Sequence, residues 1–389
     1  MRIALLTDGI APFVTGGMQR HSFHLAWNLM KLGVHLTLFH TVPHGKKPPT
    51  DKEVAEALEA PEGLLRVIFI PFPKSGRFPG HYVKESYLYS CAIHESMVGQ
   101  WGEFDFIYAK GFTAWCLLEF KKTGIHMAPI GVKFHGYEMF QRTRHLKSKL
   151  SQFMFRSPVV YINRGVNVVF SYGGEITEVI KKIGVPEEHI VNIGSGIDDS
   201  WIVDKPIPQN GIRRFLFIGR YERRKGIEDL LRCAEEIKNA KIEFHWIGPI
   251  PKEKRLSGAG HIYHGEIREA QKLRDIIDKC QVLVVPSHSE GMPNVILEAM
   301  ARGLAVISTQ VGAVPMLVDE TNGVLIKPRD VKSLRREIKR FAQMPEAALS
   351  LLRQESIRKV YKDFRWSAIA KQTLGVIRKL TYSAGMEKE

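Results

Sequence analysis

Short apolar runs alternate with amphipathic segments from one end of this chain to the other. RIALLT, VHLTLF, LLRVIFI, FDFIYA, PIGVKF and VNVVF have the pattern of buried strands, and MQRHSFHLAWNLMKLG and EITEVIKKIG have helical apolar spacing. Alternation of this kind is satisfied by parallel sheets whose strands are joined by right-handed helical crossovers. After VNIGSGID and the polar, proline-containing DKPIPQNG at 204–211 the pattern restarts, with RRFLFIG, KIEFHWIG, QVLVVP, LAVIST and GVLIKP as new strands. A restart within 389 residues predicts an α/β protein of two Rossmann-like, doubly wound domains facing a cleft, 1–203 and 204–365, followed by a closing segment, 366–389.

Lys and Arg number 56 against 41 Asp and Glu, a formal charge of +15, so an anionic partner is expected. Nucleic acid, an acidic membrane face and phosphorylated small molecules all meet that description. Cys91, Cys116, Cys233 and Cys280 are far apart and form no C-x-x-C pair, which speaks against a disulfide framework or a zinc cluster. The opening MRIALLTDGI reads as a first strand rather than a signal peptide, and no apolar run approaches the roughly 18 residues of a membrane span. A cytoplasmic protein is expected, with room for a place at the inner membrane face.

In open α/β sheets ligands bind beyond the carboxyl ends of strands, so the residues after each strand carry the functional expectation. HSEGMPNVILEAM (288–300) follows the strand QVLVVP and places Glu290 in a loop and Glu298 on the early turns of a helix. Gly291 lets backbone approach a ligand, and the helix start at Asn294 offers unpaired N–H groups to an anion. Two carboxylates would repel a bare phosphate. They suit a ligand with hydroxyls on both sides of a phosphate group, as in a nucleotide sugar. An isolated E-x₇-E spacing arises often by chance; its strand–loop–helix setting and Gly-Met-Pro-Asn insert are what make it specific.

In FIGRYERRKGIEDLL (217–231), Gly219 ends a strand, and Arg220 and Lys225 precede a helix. Cations there can neutralise a diphosphate, although Arg223 and Arg224 in the same run also allow a plain solvated basic turn. Gly16-Gly17 precedes the first helix but is not G-x-G-x-x-G, so no dinucleotide cofactor is expected. His135, after the strand ending at Phe134, could bond a sugar hydroxyl or be a buried structural histidine.

Taken together, GGMQRH, HGYE, NIGSGID, GRYERRKG, SEGMPNVILEAMARG and STQVGAVPMLVDETNGVL resemble the GT-B-fold retaining glycosyltransferases of the large E-x₇-E family, which includes sucrose synthases, glycogen synthases and phosphatidylinositol mannosyltransferases. The resemblance spans nearly the whole chain, and YKDFRWSAIAKQTLGVI looks like that family's closing helix, which crosses back to the N-terminal domain. It implies transfer of a hexosyl group from a UDP-, GDP- or ADP-sugar to an acceptor hydroxyl, with no permanently bound cofactor. Glu290 would contact the donor sugar and Glu298 the ribose. Gly291, Met292, Pro293 and Asn294 would surround sugar and phosphate, while Gly219, Arg220 and Lys225 would meet the diphosphate. Gly17 and His135 would be the other domain's contacts. No D-x-D pair occurs, so no metal is expected, and the leaving diphosphate is expected to help deprotonate the acceptor, with retention.

Two departures stand out: HGYE ends in Glu138, and YHGEIREA (263–270) replaces the usual loop over the base, with Tyr263 and Ile267 as its candidate contacts. In 137–156, apolar Met139, Leu146, Leu150, Phe153 and Met154 alternate with Arg142, Arg144, Lys147, Lys149 and Arg156, a basic amphipathic helix that would suit core packing or an anionic membrane. An acceptor sugar, polyol or lipid-linked molecule fits these features. A phosphorylase or epimerase would use the same pocket. A charge-driven nucleic-acid or membrane-surface binder is the reading from another class, and no nucleic-acid motif supports nucleic acid as a partner.

Overall fold

The computed structural model describes the chain apart from residues 77, 79, 141–145, 209–210, 238–240 and 387–389, and apart from the side chains of 146–151 and 383–386. It divides into two compact units: 1–172, 176–194 and 366–389 form the first, and 173–175 with 195–365 form the second.

The first unit holds a seven-stranded sheet of β1 (Arg2–Leu6), β2 (His35–Val42), β3 (Leu65–Pro71), β4 (Phe106–Lys110), β5 (Ile130–Lys133), β6 (Val168–Ser171) and β7 (Ile190–Asn192). Its order is β3-β2-β1-β4-β5-β6-β7, and its neighbours pair in parallel. Every residue of β4, β5 and β6 is buried, as expected where helices cover both faces of a parallel sheet. Alternate residues of β1 serve two cores: Ala4 and Leu6 join one cluster, Ile3 and Leu5 the other. The second cluster also takes in Trp366, Ile369, Leu374 and Ile377 of the last helix, Trp366–Met386, and Trp366 stacks on His24 at 5.2 Å.

The second unit holds β8 (Arg213–Ile218), β9 (Ile242–Ile247), β10 (His261–Gly265), β11 (Val282–Val285), β12 (Ala305–Thr309) and β13 (Gly323–Ile326), in the order β10-β9-β8-β11-β12-β13 and again parallel. The α/β class with two doubly wound sheets is therefore as the alternation predicts. The division of the chain falls at 194/195 and not at 203/204. The reason is local: Ile197 N–H bonds the Phe364 carbonyl at 2.7 Å, and its side chain packs in a second-unit core with Leu216 and Val360.

Each sheet order reverses once, between β1 and β4 and between β8 and β11. These are the switch points where the ends of the strands leave a crevice.

The basic 137–156 segment differs from expectation. Arg142 and Arg144 lie outside the described residues, as do the side chains of Leu146, Lys147, Lys149 and Leu150. The helix runs from Leu146 to Gly165, with Glu138–Phe140 a separate 3-10 turn. Met139 packs against the core, whereas Phe153 is 71% exposed. Among the described residues no helix is long and apolar enough to cross a membrane.

Candidate functional site

In the second unit the switch point gathers the loops after β8 and β11. Glu290, buried to 7% exposure, accepts from Lys225 Nζ at 2.6 Å and from Ser287 Oγ at 2.7 Å, with Arg224 Nη1 at 3.9 Å. The expectation gave Lys225 and Glu290 different atoms of one ligand; they are ion-paired to each other. Arg220 is 67% exposed at its side chain, with Nε 3.0 Å from Glu222 Oε1. It stands immediately after Gly219 at the end of β8. Glu298 is buried on the helix Asn294–Ala301, whose first residue follows Pro293 at the N-cap.

Backbone geometry holds this loop. Gly226 sits at φ 65° between the turn carrying Lys225 and the helix Ile227–Glu235. A Cβ there would collide with the Pro286 carbonyl oxygen. Gly312, at φ 54°, lies against the carbonyls of Glu290 and Gly291, and Ala313 N–H bonds the Gly291 carbonyl at 2.8 Å. The Met292 thioether accepts from Ser195 N–H at 3.0 Å, so its side chain anchors the loop. Ser287 and Gly312 were not singled out from sequence. A serine and a glycine just beyond strands are too common to attract notice without the partner in view.

Tyr263 belongs to edge strand β10 and not to a loop. Its ring stacks on Trp246 at 5.8 Å and its hydroxyl accepts from Leu256 N–H at 2.8 Å. Ile267 lies after that strand and packs with the core around Leu216.

In the first unit, Gly17 opens the helix Gly17–Lys31, and a Cβ on it would stand 3.7 Å from His135 Nε2. His135 Nδ1 is 2.8 Å from the Tyr172 hydroxyl. Burial pushes the tyrosine pKa well above its ordinary value, so the hydroxyl keeps its proton and shares a hydrogen bond with His135 Nδ1. Burial, with Lys110 beside it, lowers the His135 pKa to about 3, and the imidazole is neutral.

The sequence reading missed this unit's most unusual feature. Lys110 and Lys133 are the last residues of β4 and β5, are register partners, and are 1% and 0% exposed. Lys110 Nζ is 3.0 Å from His21 Nδ1; Lys133 Nζ donates to the Ile193 carbonyl at 2.6 Å and lies 4.0 Å over the Tyr172 ring. Burial lowers Lys110 to about 7, against a restoring pull from Asp8, and drives Lys133 well below the ordinary lysine range. The available signal was a lysine ending an otherwise wholly apolar strand, FIYAK and IGVK. Among the described residues no group of three or more His, Cys, Asp or Glu side chains could hold a metal ion.

Comparison with known proteins matches the family described as "Glycosyltransferase Family 4" at residues 15–201 and that described as "Glycosyl transferases group 1" at 212–344. A Bacillus subtilis protein named as a teichuronic acid biosynthesis glycosyltransferase, TuaC, is 36% identical over 130 residues; the match takes in 33% of this chain and 33% of that one. Glycogen synthase of Mycobacterium tuberculosis is 22% identical over 97% of this chain and 94% of its own. Among solved structures, sucrose-phosphate synthase from Thermosynechococcus elongatus superposes with a TM-score of 0.76 at 19% identity, covering 98% of this chain and 99% of that one. HepE of Anabaena, in complex with UDP and glucose, does so at 0.67 and 16% identity, covering 97% and 100%.

Proposed function

The chain belongs to the GT-B glycosyltransferases of the glycogen synthase and sucrose synthase type, and on that premise we propose that it moves a hexosyl group from a nucleotide-diphosphate sugar to an acceptor hydroxyl with retention of configuration and without a metal. The observation that carries this reading is the buried Glu290–Lys225 pair at the β8/β11 switch point, beside the N-terminus of the helix that bears Glu298. A carboxylate clamped by a lysine is oriented and able to accept hydrogen bonds from sugar hydroxyls. The same lysine, with Arg220, supplies positive charge where a diphosphate would leave.

In the reaction the C1–oxygen bond to the diphosphate breaks and a C1–oxygen bond to the acceptor forms on the same face. The acceptor proton passes to the departing phosphate oxygen. Lys225, Arg220 and the amides from Gly291 to the start of the helix offset the charge that develops there. Glu298 is assigned the ribose hydroxyls, and the neutral His135 beside Gly17 the first unit's share of the donor. Tyr263 is engaged by Trp246 and Leu256, so the base contact falls to Ile267 and its loop. Structural neighbours have been captured with UDP, UDP-glucose and UDP-2-fluoro glucose, which makes UDP-sugars the first donors to test. An acceptor sugar, polyol or lipid-linked molecule completes the reaction, in the cytoplasm or at its membrane face.

Proton NMR of turnover, with and without EDTA, tests the chemistry. An axial anomeric product from an axial donor, formed at equal rates with and without EDTA, is expected. An inverted product or abolition by EDTA would contradict it. Lys225→Ala should lower kcat by about 10²–10³, the usual effect of removing one charge-stabilising donor.

A further inference from the structure

Within the first unit lies a cavity of about 170 Å³, walled by Phe72, Tyr82, Phe112 and Phe134 and reached at its polar end by Asp8 and Lys110. Its size is close to the roughly 150 Å³ that holds one six-membered ring in a protein interior. A chain of several sugars or a lipid tail exceeds it.

The polar end is built and incomplete. Asp8 follows β1, and its Oδ2 is held by Gln19 Nε2 at 2.8 Å. Its Oδ1 is sealed from solvent and makes no hydrogen bond. A buried acceptor atom without a partner is costly enough to require explanation, and a ligand donor is the simplest one. Lys110 Nζ touches His21 at 3.0 Å and has two further N–H directions to offer. Burial raises Asp8 to about 6 and lowers Lys110 to about 7, a mark of two groups that have given up water without full replacement.

We propose that this cavity receives the acceptor's terminal ring, a single uncharged polyhydroxylated ring whose neighbouring hydroxyls donate to Asp8 Oδ1 and accept from Lys110 Nζ. A hydroxyl both donates and accepts, so a vicinal diol satisfies carboxylate and ammonium together. A phosphate would face the Asp8 carboxylate, and an apolar ring would leave both groups bare. The aromatic walls suit the C–H face of such a ring. The inference rests on the transferase reading above, and it assigns Asp8 and Lys110 to acceptor specificity.

Saturation-transfer NMR in the presence of UDP, GDP or ADP tests it, using methyl hexopyranosides, myo-inositol, glucose 6-phosphate and cyclohexanol as probes. Wild type, Asp8→Asn and Lys110→Met are compared, each checked for folding by thermal unfolding, with nucleotide binding measured in the same samples. At least one uncharged polyol ring should bind, with affinity falling tenfold or more in each variant. Preference for the phosphate or for cyclohexanol would overturn the proposal, as would ring binding indifferent to both substitutions. Nucleotide binding without any ring binding would overturn this proposal alone; failure of both would overturn the transferase reading as well.

Discussion

Lys110 shows what a buried lysine costs in stability. The unfolded chain holds its proton up to about pH 10.5, the folded chain only below about 7. Above 10.5 the two states agree and there is no penalty. As pH falls to 7 the unfolded chain gains a proton that the folded chain does not, and below 7 the penalty is complete. Lys133 acts with the same sign. Asp8 has the opposite slope: its raised pKa adds stability below pH 3.8 that is lost as pH rises through 6. Removing Lys110 should therefore stabilise the fold. At pH 7 the relief is on the order of 4 kcal/mol, reduced by about 1 kcal/mol for the partner His21 loses. Denaturant unfolding of Lys110→Met should show a protein more stable than wild type at pH 7, with a flatter rise toward pH 10; a less stable variant at pH 7 would contradict the account.

The loops after the strands depend on backbone positions that only glycine fills well. Gly226→Ala would place a methyl group against the Pro286 carbonyl in a left-handed conformation. A loss of about 2 kcal/mol or more is expected, together with displacement of Lys225 and weaker nucleotide binding. Thermal unfolding and titration of the variant check both; wild-type values in both would remove the loop's claimed rigidity. Elements that sequence missed share a cause. β7 has three residues, Ile190–Asn192, too short to register as an apolar run. β10 reads HIYHG because it is an edge strand, each residue only partly buried, so its composition resembles a loop. The strands buried on both faces announce themselves by hydrophobicity alone.

Each unit of the molecule is complete in itself, with two cores about one parallel sheet and one switch point. That architecture was legible because burial on both faces dictates apolar strands at regular intervals. In the second unit the candidate residues could be named from sequence because E-x₇-E and the GRYERRKG run each follow directly on a strand end within one short segment. In the first unit the sequence named Gly17 and His135 alone: Asp8, His21, Lys110 and Lys133 come together only through the strand order, and a lysine at a strand end looks solvated until its neighbours are known.

The central claim, that Glu290 and Glu298 bracket a nucleotide sugar, rests on the second unit alone. Calorimetric titration of wild type and Glu298→Ala with UDP- and GDP-sugars, ADP-glucose and the free nucleotides tests it most directly. The account predicts micromolar binding of one nucleotide class by wild type and its loss in Glu298→Ala. A well-folded wild type that binds none of them, or a Glu298→Ala protein that binds as well as wild type, would contradict it.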